Sequence, residues 1–245
     1  LGLLFMFLLG VIMLATMALF PPYLQTLLGY PVLDAGLILA PRGGGTMLAM
    51  LLCSAVMERS LVSPRYMIVT GLVLIVFSMW KMTGFNINVT LAMITWTGIV
   101  QGFGLGLIFV PLSTLAFATL DAGLRTEATS IFGLARTIGS SLGISIVMGQ
   151  LANNLQREHA LLTEHVSTFN PLLHNTAFTS IWDIHTPQGL ALLETEITRQ
   201  ALQLAYIDDF QLIMLMALVA IPAALLLRNP QRTVPPPSPN RAMPR

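Results

Sequence analysis

The chain has 245 residues, of which 55% are hydrophobic and 9% charged, and a net charge of +1. Soluble domains carry about 25% charged residues, so this composition excludes a water-soluble globule and makes lipid the solvent. The net charge says nothing about nucleic acid and no basic stripe supports it, so no nucleic-acid partner is assigned, and the single Cys53, in an apolar run, excludes an internal disulfide framework.

The expected fold class is an all-α integral membrane protein, a bundle of six transmembrane helices. The spans fall at about 1–28, 35–57, 66–84, 90–120, 127–151 and 210–227. A bilayer core takes roughly 20 apolar residues at 1.5 Å rise. The first run lacks a basic leader and is too long for a signal core. The chain opens inside that run, as a piece of a longer protein would. Pro21-Pro22 lie near its far end, tolerated where neighbours satisfy the freed carbonyls.

Gly29-Tyr30-Pro31 forms a turn, and Asp34 is placed to cap the second span. Glu58–Arg65 is a charged loop, and Phe85–Val89 is a second short loop before a fourth span kinked at Pro111. Asn88-Val89-Thr90 is a glycosylation sequon by pattern only. Asp121–Thr126 is a hinge between spans four and five. A polar segment, 152–207, follows, Asp208-Asp209 cap the sixth span, and residues 229–245 form a disordered tail rich in Pro and Arg.

Orientation follows from Lys and Arg in short loops. Arg59 and Arg65, then Arg125, then Arg228, Arg232, Arg241 and Arg245 fall on one side if there are six spans, and that side is cytoplasmic. Both ends of the chain are then cytoplasmic and the 152–207 segment is extracytoplasmic.

Gly98, Gly102 and Gly106 are four apart, as are Gly139 and Gly143. Each glycine inside an exposed helix costs up to about 1 kcal/mol against alanine, whereas in lipid the same spacing lets helix backbones approach closely. These five are read as helix-packing residues. Two arginines lie well inside spans. Arg42 and Arg136 each cost several kcal/mol at such depth unless they face water or a partner. Both are candidates for a substrate pathway or switching contact, with snorkelling to the interface as the alternative. Gln101 and Gln25 are neutral candidates, either lining a cavity or bonding between helices; Thr16 and Thr46 are weaker ones. No carboxylate is read as lying mid-span.

All four histidines, His159, His165, His174 and His185, fall in the 152–207 segment without metal-ligand spacing, so no metal and no cofactor is assigned. Leu190, Leu193, Ile197, Ala201 and Leu204 form a helical stripe there, suited to packing on the span ends. No nucleophile–base pair points to an enzyme.

Four stretches carry a family resemblance: PPYLQTLLGYPVLDAGLILAPRG from Pro21, GFGLGLIFVPLSTLAFATL from Gly102, EATSIFGLARTIGSSLGISI from Glu127 and ITRQALQLAYIDDF from Ile197. Together they resemble the C-terminal half of a multidrug efflux permease of the major facilitator superfamily, in the fourteen-span drug:proton antiporter branch typified by EmrB and QacA. Arg136 and Gly139 match the family's Arg…Gly positions.

The resemblance implies efflux of small hydrophobic or amphipathic drugs against inward proton flow. It also implies alternating access between two six-helix bundles, location in the cell's inner or plasma membrane, and a periplasmic adaptor protein docking on 152–207. The N-terminal bundle, with the family's main proton-carrying acids, lies outside this chain, and Arg42 departs from the family's uncharged residue. A metabolite or siderophore transporter of the same fold and a non-transporting membrane scaffold are the alternatives.

Overall fold

The computed structural model describes residues 2–59, 62–118, 123, 125–164, 166, 182 and 186–225. Among these are six helices long and apolar enough to cross a membrane, and no strand. They are α1 (Gly2–Pro22), α2 (Val32–Glu58), α3 (Pro64–Thr83), α4 (Leu91–Ala118), α5 (Arg125–Glu164) and α6 (Pro187–Leu225). The chain is a multi-pass membrane protein. Asp121, Ala122 and Leu124 of the expected hinge lie outside the described residues, as do His165, His174 and His185, Arg228 and the tail at 229–245.

Tandem Pro21-Pro22 does not end the first helix. It runs on as one π-helical turn, Tyr23–Leu27, in which the Leu28 N–H donates to the Tyr23 carbonyl at 3.2 Å. The Thr26 hydroxyl donates to the Pro22 carbonyl at 2.6 Å. Gly29, at φ 74°, then takes the left-handed conformation that stops the helix and turns the chain. Asp34 is not the cap expected of it. Pro31, with φ near its fixed value and no N–H to satisfy, occupies the position before α2, and Asp34 falls in the first turn, where a carboxylate favours the positive end of the helix dipole. Pro111 sits inside an unbroken α4.

Two spans run past their expected ends. The fifth continues from 151 to Glu164, because no glycine or proline interrupts residues 150–164 and the polar residues there sustain helix in water. The last starts at Pro187, not 210. Thr186 caps it, its hydroxyl accepting the Gly189 N–H at 3.1 Å, with proline in the first helical position. Asp208 and Asp209 are therefore mid-helix residues and cap nothing. Of the expected stripe, Leu193, Ile197 and Ala201 are buried, while Leu190 and Leu204 are exposed. The buried stripe continues through Tyr206, Phe210, Ile213 and Ala217. Beyond the apolar stretches His159 of α5 meets Glu194 of α6 at 2.8 Å.

Glycine contacts set the helix order. A Cβ on Gly139 would lie 2.2 Å from the Phe7 carbonyl oxygen, and one on Gly143 would lie 2.6 Å from that of Val11. Residue numbers rise together along α1 and α5, so these helices run parallel. A Cβ on Gly102 would lie 2.1 Å from the Arg42 carbonyl oxygen, and one on Gly106 would lie 2.5 Å from that of Thr46, so α2 and α4 are parallel too. Gly71 abuts Gly104, while Ser78 donates to the Thr97 carbonyl at 2.7 Å, so α3 and α4 are antiparallel. These registers are those of helices that alternate direction through a bilayer. The glycine-bearing faces of α4 and α5 pack on α2 and α1 respectively.

The core lies between α1, α3, α4 and α6, around Ile68, Ile75, Met79, Ile108, Phe210 and Ile213. Outside it, α2 exposes Leu37, Leu48 and Leu51, and α5 exposes Leu134, Ile138 and Leu142. Trp80 and Trp96 are also exposed, with the Lys81 Nζ 4.9 Å above the Trp80 ring, an aromatic and cationic edge suited to a membrane interface.

Candidate functional site

Between α1, α2 and α4 lies a cavity of about 870 Å³. Its size follows from local sequence. Gly36, Ala40 and Gly43 leave the α2 wall without bulk, while Met13 and Met17 on α1 and Met47 and Met50 on α2 supply flexible thioether walls. Phe20 and Phe109 form aromatic parts of the wall. Among the lining residues Arg42 is the one charged side chain.

Arg42 stands ten residues after Val32, about 15 Å along the helix, half the depth of a hydrocarbon core. Its Nη2 is buried with no hydrogen-bond partner. The guanidinium carbon lies 5.6 Å from the centroid of the Phe20 ring, a cation–π contact worth about 0.5–2 kcal/mol. Thr46 also lines the cavity, its hydroxyl donating to the Arg42 carbonyl at 3.1 Å.

The other candidates are placed differently. The Arg136 guanidinium carbon sits 5.8 Å from the Phe109 ring centroid, so it borders the cavity through that ring without lining it. Gln101 is fully buried, neither amide atom has a hydrogen-bond partner, and it is not among the residues lining this cavity. Gln25 is half-buried in the π-helical turn, away from the lining. Thr16 is buried and its hydroxyl donates within α1, to the Ile12 carbonyl at 2.5 Å. Gly102 and Gly106 hold α4 against the α2 segment that carries Arg42 and Thr46. A Cβ on Gly98 would lie 3.8 Å from that of Arg42, an ordinary contact, and Gly139 and Gly143 hold α5 on α1.

The expectation of no carboxylate inside a span is corrected by Asp209. It is 0% exposed within α6, and both carboxylate oxygens lack a hydrogen-bond partner. It lies one turn from Tyr206, whose ring meets that of Tyr23 edge-on at 5.1 Å. Nearby, Gln203 donates from Nε2 to the Phe85 carbonyl at 3.0 Å. The signal that would have found Asp209 is the apolar stripe, which keeps its spacing of three and four straight through the acid pair. Among the described residues no group of His, Cys, Asp and Glu is arranged to hold a metal ion.

No family model matches the chain. It is similar to the fatty acid resistance protein FarB of Neisseria gonorrhoeae, 26% identical over 89% of this chain and 43% of that protein. It is likewise similar to the multidrug export protein EmrB of Escherichia coli K12, 30% identical over 62% of the chain and 30% of the relative. An MFS-type transporter of Bacillus subtilis, YhcA, is 28% identical over 63% of the chain and 29% of its own length. The chain is thus similar to FarB, EmrB and the MFS-type transporter YhcA over 62–89% of its own length, and it spans less than half the length of these relatives.

Proposed function

We propose that this chain is the C-terminal six-helix bundle of an efflux transporter that carries hydrophobic or amphipathic compounds out across the inner membrane by alternating access, driven by inward proton flow. Both ends of the chain face the cytoplasm in this reading. A preceding bundle covers the exposed apolar faces of α2 and α5, and the proton-carrying acids of the antiport cycle reside there. The segment at 152–207, with the water-exposed ends of α5 and α6, is the surface offered to a periplasmic adaptor.

The observation that carries the reading is the apolar 870 Å³ cavity walled by α1, α2 and α4. Its volume lies within the roughly 300–1,000 Å³ range of pockets that take drug-sized ligands. The names of the relatives, multidrug export protein and fatty acid resistance protein, agree with transport of apolar compounds. In this scheme Arg136, held against Phe109, senses the state of the cavity wall.

The test is accumulation of a fluorescent hydrophobic dye in an efflux-deficient host expressing the full-length parent. Dye levels fall on expression and recover when a protonophore is added. Arg136→Ala abolishes the effect at unchanged protein level. A well-expressed parent that leaves dye levels untouched refutes the reading.

A further inference from the structure

Resting on the transporter reading, we propose that the α1–α2–α4 cavity is a binding site for amphipathic anions, in which Arg42 receives the anionic headgroup and the methionine walls receive the apolar tail.

A cation at this depth is unfavourable unless something in the site compensates it. Snorkelling does not relieve Arg42, because its Nη2 is buried within the bundle. Nor does a carboxylate relieve it. Among the described residues none of the acids lines the cavity; Asp34 is exposed in the first turn of α2, and Asp209 lies on α6, which contributes no wall. What the protein supplies is the face of Phe20, 5.6 Å away, which holds the guanidinium in place while leaving N–H donors free.

A planar guanidinium with free donors matches a carboxylate or similar oxyanion through two parallel hydrogen bonds. The rest of the lining sets the remainder of the ligand. Met13, Met17, Met47 and Met50 are unbranched and adaptable, suited to flexible chains of varied shape. A second cation, Arg136, lies on the Phe109 wall and adds positive potential. A lipophilic cation of the same bulk would fill the same space against that potential, with no acid to receive it.

The experiment compares three probes with one tail and different heads: dodecanoate, dodecanol and dodecyltrimethylammonium. Equilibrium binding is measured below micelle-forming concentrations, to the full-length parent in nanodiscs and corrected with empty nanodiscs. Dodecanoate binds about ten-fold tighter than dodecyltrimethylammonium, the scale of one charge-assisted hydrogen-bonded contact. Arg42→Gln removes that preference and leaves dodecanol binding unchanged, which also reports an intact fold. Should Arg42→Gln lose dodecanol as well, Arg42→Lys decides: the retained charge keeps the preference for dodecanoate, and loss of the preference in that variant overturns the proposal. Equal binding of the two ions, or a preference that survives Arg42→Gln, also overturns it.

The outcome separates from that of the efflux reading. A parent that lowers dye accumulation yet binds dodecanoate and dodecyltrimethylammonium equally keeps efflux and loses the anion site. One that binds dodecanoate through Arg42 yet moves no compound across a membrane does the reverse.

Discussion

Gly139 and Phe7 meet so closely that a single added carbon on the glycine would lie 2.2 Å from the phenylalanine carbonyl oxygen. Backbone, not a movable side chain, is the obstacle. Gly139→Ala therefore forces α5 off α1 and lowers stability by about 1–3 kcal/mol, the usual cost of overpacking. A Cβ on Gly44 or Gly149 would meet nothing within 4 Å beyond its own helix, and alanine at either position leaves stability unchanged or slightly raised. Thermal unfolding in detergent distinguishes the sites; equal effects at Gly139 and Gly44 would contradict the packing described.

The link between Gln203 and the Phe85 carbonyl ties α6 to the turn between α3 and α4. Removing the amide strands a buried carbonyl. Gln203→Leu destabilises by about 1–3 kcal/mol, and Gln203→Glu by more, because a buried carboxylate cannot donate to that carbonyl. The same unfolding measurement checks both.

Asp209 predicts the opposite sign. Its carboxylate oxygens are buried and unpartnered, so they make no bond that asparagine would break. Asp209→Asn keeps the shape, removes the charge and raises the unfolding midpoint at pH 8, because a neutral amide costs less to bury than an unpaired carboxylate. A midpoint that falls would mean the carboxylate has an unseen cationic partner.

The helical extensions are tested by cross-linking. His159 and Glu194 are within 2.8 Å of each other, on parts of α5 and α6 that lie beyond the apolar stretches. With Cys53 replaced by serine, His159→Cys and Glu194→Cys together are joined by a short bifunctional maleimide, which spans the gap the two long side chains now bridge, seen as a mobility shift on a gel. Cysteines at His159 and Arg199 together are joined less readily, since Arg199 lies more than a turn further along α6. Equal cross-linking of both pairs would contradict the register.

Six spans were legible because lipid removes ambiguity: an apolar run of that length has few other fates. The glycine spacing was equally plain, but spacing alone carries no partner, and α2 and α1 emerge only when whole helices are placed together. The ends of α5 and α6 are not legible from composition, because a polar stretch marks the end of a span without marking the end of a helix. Gln156, Arg157 and Glu158 favour helix in water as readily as they avoid lipid, and Thr186-Pro187 signals the start of α6 in plain view. Arg42 was visible as a costly charge. Its role was not, because the cavity around it is assembled from three helices whose lining residues read singly as ordinary core.

The efflux account turns most directly on whether the cavity lies on the path of the transported compound. Dye efflux by the full-length parent is measured after alkylation with a bulky maleimide, in a background lacking Cys53. Met50→Cys places the thiol in the cavity wall, and Val73→Cys places it on the exposed side of α3. The account predicts that labelling stops efflux in the Met50→Cys protein and spares it in the Val73→Cys protein. Full efflux from completely labelled Met50→Cys protein would contradict it.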